Sequence, residues 1–177
     1  SFADVCEGDL GGWVEKEENL SQENNCWVYD DACVFENGRV TENGRVSGNS
    51  QVRENSLVSG SSHVSEKGLV TGNGRVTENS RVAGNGEVFG NGCVAGHSLV
   101  TDDAKVYDDA MVTENGRATG NGRVTENGLV AGNSLVTGNS RVAGNSLVTG
   151  DSQVYGNGRV SGCARVFANG RVSGNSL

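Results

Sequence analysis

A chain of 177 residues suits one domain, but 28 glycines, 5% aromatic residues and no proline are not the composition of an ordinary globular core. A formal net charge of −8 removes the basic footprint on which sequence-independent nucleic-acid binding rests, and no stretch approaches the roughly 18 consecutive apolar residues of a membrane helix. Few aromatics and a net charge would also suit disorder, yet apolar residues recur here at a fixed period, which disordered chains lack.

The opening of the chain is out of phase with the remainder. Val14 and Leu20 are six apart, whereas Leu20 to Val28 is eight. Phe2, Val5, Leu10, Trp13 and a Gly11-Gly12 turn predict a compact cover, which the exposed first coil of a solenoid generally needs. Residues 1–25 are therefore expected to be an N-terminal capping segment and residues 26–177 a repeat solenoid. Ser1 in place of Met is compatible with the loss of an upstream segment, targeting signal included. The five cysteines (Cys6, Cys26, Cys33, Cys93, Cys163) are odd in number, scattered and without a CxxC pair, so neither a disulfide framework nor a zinc site is indicated. A reducing, cytoplasmic location is the expectation.

From Val28 a valine returns every sixth residue as far as Val172, and only Ala118 departs from valine. Six is no multiple of a helical turn, and the intervening Gly, Asn, Ser and β-branched residues favour turns and strands. The slot two before each valine is always small, as at Ser50, Gly74, Ala104 and Ser134, with Cys26 the largest. Strand side chains alternate, so valine and this small residue share the inner face while the residue between them points out. The two slots after the next outward residue hold Gly-Asn, Glu-Asn or Asp-Asp, which reads as a corner. Three strand-and-corner sides predict a triangular coil of 18 residues, and coils stacked about 4.8 Å apart give a rod of roughly 40 Å.

An aliphatic residue with a small residue two positions before it resembles the left-handed parallel β-helix of hexapeptide-repeat proteins. The resemblance implies an all-β fold, a single-stranded left-handed parallel β-helix with a short N-terminal cap; handedness comes from it alone. Gly8-Asp9-Leu10-Gly11-Gly12-Trp13-Val14-Glu15, Glu18-Asn19-Leu20-Ser21 and Cys26-Trp27-Val28-Tyr29-Asp30-Asp31-Ala32 are similar to the opening of bacterial and bacteriophage hexapeptide-repeat proteins without an assigned reaction.

Hexapeptide β-helices are often acyltransferases, with a catalytic His beside a cleft, an inserted loop and a C-terminal helix. Here the repeat runs without insertion from Val28 to Val172, His63 takes an outward strand slot, and His97 takes a corner slot normally held by Asn. Neither has an evident orienting partner, so no enzyme, catalytic residue, cofactor or metal is expected. Asp102-Asp103, Asp108-Asp109 and Asp30-Asp31 read as solvated turn acids whose corners diverge too far for calcium. The recurrent Gly-Asn-Gly-Arg lacks a strand-to-helix context and reads as repeat punctuation.

Folding the chain by eighteen sets Arg39, Leu57, Arg75, Cys93, Met111, Leu129, Leu147 and Arg165 in one outward ladder. Its run Cys93, Met111, Leu129, Leu147 is apolar over four coils and is the candidate interface, with a second copy or a protein partner rather than nucleic acid or membrane. The leading expectation is a structural or interaction solenoid. Ice or polysaccharide recognition is the alternative, although the outward Thr row is single and interrupted; an acyltransferase-like enzyme and an acidic decoy for a nucleic-acid site come behind it. The repeat reaches Leu177, one slot before another valine is due, with no capping pattern after Val172, so that end is expected to dock or to continue.

Overall fold

The computed structural model describes residues 5, 6 and 8–174, so Phe2 and Leu177 lie outside it. Within each hexad the β-branched valine closes a two-residue strand, as in Arg39–Val40 and Leu57–Val58. Strands eighteen residues apart pair in parallel: Arg75 sits opposite Cys93 and Val76 opposite Val94. Three strands thus make a coil, and the coils stack into three parallel sheets of nine, eight and nine strands, consistent with a left-handed β-helix. Each face takes its name from its first regular strand. The Trp27 face runs from Trp27–Val28 to Arg171–Ser173, the Cys33 face from Cys33–Val34 to Arg159–Val160, and the Arg39 face from Arg39–Val40 to Arg165–Val166. Among the described residues the helix content is one 3-10 turn, Glu17–Asn19, and no helix is long and apolar enough to cross a membrane.

The core is the inward column. Every valine slot from Val34 to Val154, Ala118 included, is fully buried. The small slot beside it is filled by Ala, Gly or Ser, and the serines are satisfied within the chain. Ser134 Oγ donates to Ala131 O at 2.6 Å and reaches Val148 O of the next coil at 3.2 Å. Hydrogen bonding of this kind offsets the desolvation cost of a buried hydroxyl and fixes the corner against the strand.

The corners differ in one respect from the Gly/Asn reading. The residue in the left-handed region is the first of each corner pair, and it is frequently Glu or Asp in place of Gly: Glu42 has φ 57, Gly60 φ 68 and Glu78 φ 63. Left-handed backbone costs an L-residue about 1–2 kcal/mol. The acids offset it by accepting the corner N–H one coil on, from Gly60 to Glu42 Oε2 at 2.6 Å, from Gly72 to Glu54 Oε2 at 2.7 Å and from Gly132 to Glu114 Oε2 at 2.7 Å. The Asn that comes next stacks its amide on that of the next coil, as in Asn121 Nδ2 to Asn139 Oδ1 at 2.9 Å.

Ahead of Cys26 the chain makes a wider coil. Trp13–Val14 pairs with Cys33–Val34, and Leu20 bridges Val40, so each step spans 20 residues (34 − 14 and 40 − 20) instead of 18. Gly11-Gly12 makes no turn; the Gly12 N–H donates to Val28 O at 2.8 Å. Asn19, fully buried, holds the wider coil down, donating to Glu36 O at 3.0 Å and Gly38 O at 2.7 Å while accepting the Lys16 N–H at 2.9 Å. Leu10 and Trp13 stay exposed.

Candidate functional site

The outward slots of the Arg39 face place Cys93 opposite Met111, Met111 opposite Leu129, and Leu129 opposite Leu147. Four apolar side chains therefore rise in one unbroken column, three rungs or about 14 Å long. Each shields its neighbours, so Cys93, Leu129 and Leu147 are half-buried while Met111 keeps 42% of its surface. The parallel outward row beside them is Ala95, Thr113, Ala131 and Thr149, small enough to leave the face flat. Arg75 and Arg165 close the column at its two ends. Burial pushes the Cys93 thiol above its usual range, opposed by Arg75 and aided by Glu78. A raised pKa keeps it a thiol at neutral pH.

The other residues singled out in the sequence are taken up by the corner ladders. His97 stands in the asparagine column with its Nε2 3.5 Å from Asn79 Nδ2. Asp102 Oδ2 accepts the Gly120 N–H at 2.9 Å, and Asp103 Oδ1 accepts from Asn85 at 3.0 Å. Asp108 Oδ2 accepts from Thr125 Oγ1 at 2.7 Å, Asp109 Oδ1 from Asn91 at 2.9 Å, and Asp30 Oδ2 from the Gly48 N–H at 2.9 Å. These acids are braces between coils, a role the spacing alone does not show. Among the described residues no three His, Cys, Asp or Glu side chains converge as a metal site.

His63 has more around it than an outward slot implies. On the Trp27 face it lies between Arg45 and Arg81, and its Nε2 is 2.9 Å from Ser47 Oγ. Tyr29, Asp30, Arg45, Ser47 and His63 line a shallow depression of about 220 Å³. Burial, then Arg81, then Arg45 lower the imidazole's pKa from 6.5, so the ring is neutral at pH 7. No carboxylate bonds the ring among the described residues, so the histidine of this pair lacks the orienting third group of a nucleophilic triad. The lowered pKa has a stability consequence. Below pH 6.5 the unfolded chain takes up a proton before the folded one, so the unfolded state binds more protons and stability falls as pH falls. The melting temperature should therefore drop between pH 7 and pH 5, and His63→Gln should flatten that part of the profile; an unchanged slope would show that His63 carries none of it.

No family model matches the chain. Over 29 residues, 16% of its length, it is 55% identical to the "Uncharacterized acetyltransferase YdcK" of Escherichia coli (strain K12), and it spans 9% of that protein's length. The chain is thus a parallel β-solenoid of hexapeptide repeats with a short stretch of similarity to a protein described as an acetyltransferase.

Proposed function

We propose that this solenoid is a non-enzymatic interaction scaffold whose Arg39 face packs against a second copy of itself. The observation that carries the reading is the in-register column Cys93, Met111, Leu129, Leu147 beside a row of small residues. Flat sheet faces pack about 10 Å apart, and a two-fold axis between Met111 and Leu129 pairs Met111 with Leu129 and Cys93 with Leu147 of the other copy. Sedimentation is expected to give a multiple of the 18.3 kDa chain mass. Met111→Glu with Leu129→Glu is expected to give the monomer with the fold intact, because outward slots do not enter the core. A wild-type chain that sediments as a monomer across the micromolar range overturns the reading.

A second reading, acyl transfer, draws on the 29-residue similarity and on the neutral His63 hydrogen-bonded to Ser47. Its test is release of free thiol from acetyl-coenzyme A in the presence of amine or hydroxyl acceptors. Release that His63→Ala abolishes favours transfer; no release above the no-protein rate leaves the scaffold reading in place.

A further inference from the structure

On the Cys33 face one unit occurs on three successive coils: Asn121-Gly122-Arg123, Asn139-Ser140-Arg141 and Asn157-Gly158-Arg159. Asn-Gly-Arg and Asn-Ser-Arg recur elsewhere in the sequence, but on no other face do they occupy three consecutive rungs. Cα register sets Arg123 opposite Arg141 and Arg141 opposite Arg159. The amides form their own column along the adjoining corner, Asn121 Nδ2 to Asn139 Oδ1 at 2.9 Å and Asn139 Nδ2 to Asn157 Oδ1 at 3.4 Å. Between the two columns lies a depression of about 200 Å³ lined by Asn121, Arg123, Asn139, Ser140, Arg141 and Arg159. A second, of about 260 Å³, adjoins it across Arg141 and Arg159 over Ala143 and Ser161.

Like charges directly opposite one another across a sheet destabilise it. Here three guanidiniums face three successive rungs, and the ion pair among them is Arg141 with Glu126 at 3.5 Å, half-exposed and of small worth. Arg123 and Arg159 have no ion-pair partner among the described residues. Lys105 on the preceding rung is held by Glu87 at 2.8 Å and so closes the cationic row at that end. All three arginines and all three asparagines are exposed.

We infer that this groove binds a linear polysaccharide of uronic acids, one carboxylate per sugar. The acid groups on the side of the chain that faces the sheet meet the guanidiniums of Arg123 and Arg159, which take carboxylate in a two-pronged contact. Asn121 and Asn139 each give one N–H to the neighbouring amide and keep a second N–H and carbonyl capacity for the sugars' hydroxyls. Successive rings of an extended pyranose chain turn over, so acid groups on one side recur about every second ring, close to the roughly 9.6 Å that separates Arg123 from Arg159 two rungs apart. A nucleic-acid strand presents anions too, but beside the three arginines the row is Thr125, Ala143 and Ser161, and the aromatics of that row, Phe89 and Tyr107 on the two preceding coils, stack on each other with centroids 4.7 Å apart instead of standing among the arginines as a platform for bases. This site is on a different face from the self-association column and stands without it.

The test is calorimetric titration of the full chain with oligogalacturonate of about six sugars, enough to cross the three rungs. Neutral cello-oligosaccharide and oligothymidylate of the same charge serve as comparisons. Galacturonate binding that weakens from about 50 to 200 mM salt is expected, absent for the neutral chain and at least about tenfold weaker for the oligonucleotide. Arg123→Gln with Arg159→Gln is expected to weaken it by about tenfold or more with the melting temperature unchanged. Met111→Glu with Leu129→Glu is expected to leave binding intact, which separates this result from the fate of the self-association reading. No binding of galacturonate, equal binding of oligothymidylate, or full binding by the double arginine variant each overturns the inference.

Discussion

Truncation of Val124 to Ala is expected to lower the unfolding free energy by about 1–3 kcal/mol, through lost transfer energy and the cavity left behind. Val124 is fully buried, and its strand pairs on one side with Lys105–Val106 and on the other with Arg141–Val142, so the void lies inside a column with coils stacked above and below. Each coil of a solenoid is stabilised chiefly by its nearest neighbours, so a defect in mid-rod weakens two interfaces at once. Ala118 provides the reverse experiment. It fills a valine slot between Val100 and Val136 and is as buried as they are, so Ala118→Val should be neutral or stabilising if the space remains open. Melting curves decide both: no loss for Val124→Ala would contradict its inward face, and a large loss for Ala118→Val would show that the neighbouring coils have closed over the shorter side chain.

The parts of this molecule that are legible in sequence are those set by side-chain alternation and period. The inward valines, the small slot two before them, the coil of 18 and the outward column from Cys93 to Leu147 all come from counting, because a strand allows only two directions and the repeat never slips after Val28. What counting misses is polar pairing between coils. Glu42 and Glu114 look like exposed acids in sequence, yet they hold left-handed backbone and accept an N–H eighteen residues on, a contact that exists only once the coils are stacked. Asn19 is similar. Strand alternation beside the inward Leu20 would turn it outward, and its three backbone partners come from the wider first coil and from the coil beyond it. The serines at the inner slot read as merely small, whereas Ser134 and its equivalents each close a corner through Oγ. His63 is outward, as its slot dictates, but the hydroxyl that meets it belongs to the preceding coil. The recurrent Asn-Gly-Arg reads as punctuation along the chain, while across it three successive coils repeat the unit, with Ser140 in the middle one, in one column of one face.

A glycine that must remain glycine should reveal how closely the coils approach. Gly60 has φ +68, and a Cβ built there would lie 2.5 Å from Glu78 N and 2.6 Å from Glu78 O, backbone atoms of the next coil that cannot rotate away. Gly162 has nearly the same conformation, φ +67, with nothing within 4 Å of that Cβ. Gly162→Ala should therefore incur only the left-handed strain of about 1–2 kcal/mol. Gly60→Ala adds to that the separation of two hydrogen-bonded coils, an overpacking term of about 1–3 kcal/mol, for a total of roughly 2–5 kcal/mol. The comparison is sharpened by position 42 in the same column, where Glu adopts φ 57 and recovers the strain by accepting the Gly60 N–H. Alanine has no carboxylate with which to do so. Thermal melts of the two single variants should separate by several degrees, with Gly60→Ala the lower. Equal losses at the two positions would show that backbone conformation alone, and not the approach of the next coil, keeps glycine at position 60.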